Sequence, residues 1–81
     1  MLNEGKIECE QIIDIICNYS DIKNIEPQTD LRRELGLNSL QVIYLIVEIE
    51  ETFGVTVGEE KITDFKTVRD IVDFINKERT E

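Results

Sequence analysis

Apolar residues along this chain recur with helical spacing in three stretches. In the first, Cys9, Ile12, Ile13 and Ile16 follow the i, i+3, i+4, i+7 order of one helix face. They predict a helix over 5–19, with Tyr19 and Ser20 near the same stripe and Ile15 on its flank. Glu8, Glu10, Gln11 and Asp14 fall largely away from it. The second stretch, 39–53, is the clearest. Val42, Ile46, Ile49 and Phe53 share one face, with Ile43 and Leu45 beside it. Asn38 is a favourable N-cap, Gln41 stands three residues on as in a capping box, and Gly54 is a good stop. The third begins at Thr67-Val68-Arg69-Asp70, itself a capping-box pattern, and continues through Val68, Ile71, Val72 and Ile75. Between the last two, residues 59–65 fit a short helix that turns Ile62 and Phe65 inward. Val55-Thr56-Val57 alternates but is too short for a good strand.

Residues 20–38 form a long connection marked by Asn24, Pro27, Asp30 and Gly36. A structureless loop of that length is uncommon in a compact domain. Ile22, Ile25, Leu31, Leu35 and Leu37 are therefore expected to pin it to the core. A single helical turn is expected after Thr29, with Thr29 as its cap and Gly36 as its end. The fold class that follows is all-α: a small four-helix bundle with three longer helices, a short third helix and a long first loop. One domain fills 1–81, with its core in about 5–76 and a charged, frayed tail at 77–81. The expected core is Ile12, Ile13, Ile16, Leu31, Leu35, Val42, Ile46, Ile49, Phe53, Val68, Ile71, Val72 and Ile75.

The 39–53 helix has more apolar residues than one buried face needs. Leu40, Tyr44 and Val47, with Glu51, fall nearly opposite the core stripe at 100° per residue, and Gln41 and Glu48 border them. An 81-residue domain seldom encloses a helix completely. These residues are therefore expected to form a small exposed apolar spot edged by acids, the composition of a partner-binding face.

Charge narrows the range of partners. Eighteen acids oppose nine bases, a net −9, and residues 42–64 alone carry −5. This argues against a nucleic-acid binder, which needs a basic patch, and disfavours anionic membranes. It favours a soluble monomer that associates quickly with basic protein surfaces. No apolar run approaches the ~20 residues of a membrane span, so no membrane insertion is expected. With no signal-peptide pattern after Met1, a cytoplasmic location is expected. The two cysteines agree with that. On one helix Cys9 and Cys17 would stand about 12 Å apart, beyond the roughly 7 Å limit of a disulfide. They are expected to be free thiols of a reducing compartment. The chain has no His, the commonest general base and metal ligand. It also has no Gly-rich phosphate loop and no CxxC motif. Glu59, Glu60 and Asp64 lack calcium-loop spacing. An enzyme is not expected, and no metal site.

The segment Leu35-Gly36-Leu37-Asn38-Ser39-Leu40, followed by a helix ending Glu50-Glu51-Thr52-Phe53-Gly54, resembles the acyl carrier protein family. The resemblance runs on to Lys66-Thr67-Val68-Arg69-Asp70-Ile71-Val72-Asp73-Phe74-Ile75 and covers about residues 7–76. It implies a 4′-phosphopantetheine arm, taken from coenzyme A and attached to Ser39 by a phosphopantetheinyl transferase. It implies acyl or aminoacyl cargo held as thioesters, in fatty acid, polyketide, nonribosomal peptide or related biosynthesis. Loading and processing enzymes with basic docking surfaces are the further partners. Asn38 departs from the Asp usual before the modified Ser. Asn and Asp cap equally well, so the helix start survives while one negative charge beside Ser39 is lost. Gln41 and Tyr44 stand where fatty-acid carriers commonly have acids, which favours a specialised pathway. The competing expectation is an unmodified, acidic interaction module of the same fold.

Overall fold

The computed structural model describes residues 7–79. Four helices, α1 (Cys9–Ile16), α2 (Ser39–Phe53), α3 (Glu59–Ile62) and α4 (Val68–Arg79), make an all-α bundle with no strand among the described residues. α1 packs on both α2 and α4, and α3 packs on α2.

α1 is shorter than the expected 5–19. Positions 5 and 6 lie outside the described residues, and the helix proper begins after Glu8, whose backbone is extended. At the other end Asn18 N–H donates to Ile15 O and Tyr19 N–H to Ile16 O, so the chain tightens into a three-residue turn. The buried face is also rotated from the expected one. Ile12, Ile15 and Ile16 are buried and Ile13 is half-buried. Ile15, Ile12 and Ile16 span an arc of about 100°, whereas Ile13 lies about 100° from Ile12 on the far side. Contact with two helices selects that arc. The start of the described chain is fastened across the molecule: Ile7 N–H donates to Asn76 Oδ1 at 2.6 Å, and Asn76 Nδ2 donates to Ile7 O at 3.0 Å. α4 runs past Asn76 to Arg79, and the last two residues of the expected tail, 80 and 81, lie outside the described residues.

The long loop is pinned as expected, but by fewer residues. Leu31, Leu35 and Leu37 are buried, Ile25 is half-buried, and Ile22 is exposed. Backbone bonds add to the attachment. Leu31 N–H donates to Lys66 O, Val68 N–H to Thr29 O and Arg69 N–H to Pro27 O, and an isolated bridge joins Asp30 to Thr67. The helical turn in the loop is capped by Asp30 rather than Thr29. Asp30 Oδ1 accepts from the N–H groups of Arg32 and Arg33, while Thr29 Oγ1 turns back to accept from Glu26 N–H. Gly36 ends this turn at φ +70°, with Leu37 N–H bonded to Leu31 O. Gly54 ends α2 in the same way at φ +70°, with Val55 N–H bonded to Glu50 O. These left-handed positions explain both glycines.

The bonds to Asp30 make a pH test. Its carboxyl is held below the usual value chiefly by the Arg33 N–H. Partial desolvation opposes this, and the Arg32 N–H and the charges of Arg33 and Lys66 add to it. A depressed folded-state value gives stability that is present above the unfolded pKa, near 4, and is lost as pH falls through the folded one. Asp30→Asn keeps the cap and removes the charge. Its melting temperature should lie below that of the wild type at pH 7, with the gap closing below about pH 4. A gap independent of pH would show that the charge contributes nothing.

The core holds the expected residues with one exception besides Ile13. Phe53 is half-buried, because the last turn of α2 reaches the edge of the bundle. Ile43, expected beside the core stripe, is exposed, whereas Leu45 on the other flank is fully buried. Ile7, Leu37, Val57, Ile62 and Phe65 enter the core from loops and the short third helix. α3 stops at Ile62, and Phe65 reaches inward from the turn after it, its ring edge-on to Phe74 with centroids 5.6 Å apart.

Candidate functional site

Ser39 is the first residue of α2 and is exposed. Buried Leu37 anchors the chain just before it. Asn38 then leaves the helix in an extended conformation, φ −84° and ψ 175°. The expected capping box forms in both directions: Gln41 N–H donates to Asn38 Oδ1 at 2.8 Å, and Asn38 N–H donates to Gln41 Oε1 at 2.9 Å. The side chain of Gln41 is therefore occupied in holding the helix start. Asn38 performs the capping for which Asp is also suited, so its departure from Asp costs the turn nothing.

Two backbone donors remain open at this end. Among the described residues, nothing accepts from the N–H groups of Ser39 and Leu40, and the Ser39 hydroxyl has no partner. No acidic side chain lies in the first turn of α2. The positive end of the helix dipole is thus uncompensated beside an exposed hydroxyl. A phosphodiester on Ser39 Oγ fits this site by charge and by hydrogen bonding. Among the described residues no base is bonded to the hydroxyl to activate it as a nucleophile. Among the described residues no three His, Cys, Asp or Glu side chains converge as metal ligands, and Cys9 and Cys17 are free thiols.

The far face of α2 is displayed. Leu40 and Tyr44 are each 55% exposed, Val47 39% and Ile43 37%. They occupy one continuous arc of about 100° on the helix. Ile43 joins the three apolar residues expected there, because the α2 core arc is centred on Val42, Ile46 and Ile49 rather than spreading to both flanks. Glu51 is exposed at the end of this face, and Glu48 borders it half-buried.

Tyr19 is the member of this region that periodicity did not assign. The turn after α1 carries it to α2, where its hydroxyl donates to Glu48 Oε1 at 2.6 Å and, more loosely, to Tyr44 O at 3.4 Å. An amphipathic Tyr at the end of an apolar stripe, with acids on the neighbouring helix, was the available signal. The bond to Glu48 raises the Tyr19 phenol above its ordinary value, with desolvation and the Glu48 charge adding to it. The fold thus favours neutral Tyr19, a contribution present below about pH 10 and lost above it. In a Tyr44→Phe background, ultraviolet titration should show the remaining phenol ionising above the usual range. Glu48→Gln should bring it down. Equal midpoints with and without the Glu48 charge would show that the bond is not formed in solution.

The family model of the phosphopantetheine attachment site matches residues 10–75. The chain is 39% identical over 57 residues to an acyl carrier protein of Phytoplasma mali (strain AT), covering 70% of this chain and 68% of that one. To the acyl carrier protein of Aster yellows witches'-broom phytoplasma (strain AYWB) it is 37% identical over 70 residues, 84% and 92% of the two chains. To that of Rickettsia bellii (strain OSU 85-389) it is 36% identical over 73 residues, 88% and 90%. The matched stretch includes Ser39 and the whole of α2, and these relatives align over more than two thirds of their own lengths. On that agreement the chain belongs to the acyl carrier protein family.

Proposed function

We propose that Ser39 bears the phosphopantetheine arm, and that α2 presents the loaded arm to partner enzymes through Leu40, Gln41, Tyr44, Val47, Glu48 and Glu51. Membership of the family brings the arm itself, a covalently attached 4′-phosphopantetheine, and the role of a carrier rather than a catalyst. It also brings a phosphopantetheinyl transferase and biosynthetic enzymes as the general class of partners. The arm supplies a terminal thiol on which acyl or aminoacyl cargo is held as a thioester.

The observation that carries the assignment is the exposed, unpartnered Ser39 hydroxyl at an open helix N-terminus within the family match. The chain's own residues do three things there. Asn38 and Gln41 fix the first turn, so the hydroxyl is held at a constant place on the surface. The N–H groups of Ser39 and Leu40 offer hydrogen bonds to an anion on Ser39. The Leu40, Ile43, Tyr44 and Val47 face gives a partner an apolar centre, and Glu48 and Glu51 give it an acidic rim that matches a basic surface. Tyr44 adds an aromatic anchor to that face, and Gln41 contributes an uncharged edge. This composition supports a carrier of a specialised pathway, such as polyketide or nonribosomal peptide synthesis. The net −9 supports a monomer by mutual repulsion, and the free thiols accord with a cytoplasmic setting.

The test is intact-mass spectrometry after incubation with coenzyme A and a broad-specificity phosphopantetheinyl transferase. The protein should gain the mass of one arm, and peptide mapping should place it on Ser39. Failure to gain it would favour the unmodified interaction module.

A further inference from the structure

We infer that the groove between the first loop and the turn joining α3 to α4 is a second docking surface, for a carboxylate-rich segment of a partner protein. The groove is an open depression of about 440 Å³, lined by Asp30, Arg32, Arg33, Thr63, Phe65 and Lys66. Three cations and one acid therefore line it, a local balance of +2 on a chain whose total is −9.

Three acids in this region are turned to other work, and Asp64 is exposed but does not line the groove. Asp30 Oδ1 accepts from the N–H groups of Arg32 and Arg33. Glu34 Oε1 accepts from Asp30 N–H. Asp70 Oδ2 accepts from the N–H groups of Lys66 and Thr67. Each of these carboxylates accepts from backbone N–H groups, and neither Glu34 nor Asp70 lines the groove. The side chains of Arg32, Arg33 and Lys66, by contrast, make no hydrogen bond among the described residues. The charges of Arg33 and Lys66 both act on the Asp30 carboxyl, adding to the lowering by the Arg33 and Arg32 N–H groups.

The two walls are held in fixed register. Leu31 N–H donates to Lys66 O at 2.8 Å, and the Asp30–Thr67 bridge lies beside it. The cations thus project from a braced backbone, which lowers the ordering cost of binding. The shape favours a protein partner over a small anion. The groove is open, and its floor includes the buried ring of Phe65 rather than a ring of converging N–H donors. Guanidinium groups at such a rim match surface carboxylates in two-pronged pairs.

Position gives the groove a use. Arg33 and Ser39 are six positions apart, so their Cα atoms are within about 21 Å of each other. A standard interface covers about 800 Å² on each partner, a patch about 30 Å across. One enzyme engaging Ser39 and α2 would reach the groove as well. Its footprint would then have two signs: basic opposite Glu48 and Glu51, acidic opposite Arg32, Arg33 and Lys66. Such a pattern fixes orientation and rejects partners that are basic throughout. The inference does not depend on whether Ser39 is modified.

The experiment uses the ¹⁵N-labelled unmodified full chain, titrated with a short poly-aspartate peptide and followed by amide NMR. The protein's overall charge repels this peptide, so binding must arise from a local site. Saturable shifts are expected over 30–34 and 63–67, weakening with added salt. Arg32→Glu combined with Lys66→Glu replaces exposed side chains and should leave circular dichroism unchanged. It should weaken peptide binding by about tenfold, the sum of two surface charge contacts. A poly-lysine peptide should shift α2 instead in the wild-type chain. Shifts spread along the chain, or poly-aspartate binding that survives the double substitution, would overturn the inference. Inorganic phosphate saturating the same amides as tightly as the peptide would also overturn it, in favour of a small-anion site.

Discussion

Ser39→Ala should abolish attachment of the arm completely while leaving the fold intact. The hydroxyl is the only atom of that side chain that can be esterified, it is exposed, and it makes no hydrogen bond among the described residues. Its removal leaves no orphaned partner, and Ala is the best helix former at an exposed helix position. The stability should therefore stay within the small range of ordinary surface changes, about 0.5 kcal/mol. All carrier function should be lost, because no thiol remains to hold cargo. Glu48→Lys is the contrasting change. It leaves Ser39 in place but reverses a charge on the acidic rim and removes the acceptor of the Tyr19 hydroxyl. It should slow loading or transfer by a partner without abolishing modification by an excess of transferase. A protein that acts as an unmodified module gives the opposite pattern, tolerating Ser39→Ala and failing with Glu48→Lys. Asn38→Asp isolates the remaining variable. The two residues cap equally, so stability should hold while the rate of modification changes if a transferase senses the charge beside Ser39.

Much of this was legible in the sequence because helices announce their faces. The periodicity of 39–53 marked both the buried arc and the exposed spot, and the capping boxes at Asn38–Gln41 and Thr67–Asp70 mark the true starts of α2 and α4. The misreadings have a common cause. Periodicity gives the spacing of a stripe but not the number of neighbours that will cover it. α1 lies between two helices, so Ile15 is buried at the expense of Ile13. α2 ends at the edge of the bundle, so Phe53 is half out. Thr29 Oγ1 is instead taken by Glu26 N–H, and Asp30 is bridged to Thr67, a contact between residues 37 positions apart. Tyr19 reaches Glu48 across 29 positions, again through a turn that no local pattern specifies. The basic groove is of the same kind. Arg32, Arg33 and Lys66 are unremarkable charges along the chain, and only the fold brings them to one opening.

Ile46→Ala should cost about 2–5 kcal/mol, the range for emptying a fully enclosed aliphatic site. Ile46 is completely buried, in the middle of the α2 face that meets the core, and has Leu45, Val42 and Ile49 around it on the same helix. A domain of this size is stable by about 5–15 kcal/mol in the general case, and small ones lie toward the lower end. The loss is thus a large fraction of the total, and urea unfolding should show a much lower midpoint at an unchanged slope. Val47→Ala, one residue further on, makes the comparison decisive. Val47 is 39% exposed, and replacing Val by Ala improves helix propensity, so the loss should be near zero. Adjacent residues with such different costs fix the rotation of α2 about its own axis. That rotation is also what turns Leu40, Tyr44 and Val47 toward a partner. If Ile46→Ala cost no more than Val47→Ala, α2 would be turned differently in solution, and the docking face would have to be redrawn along with the core.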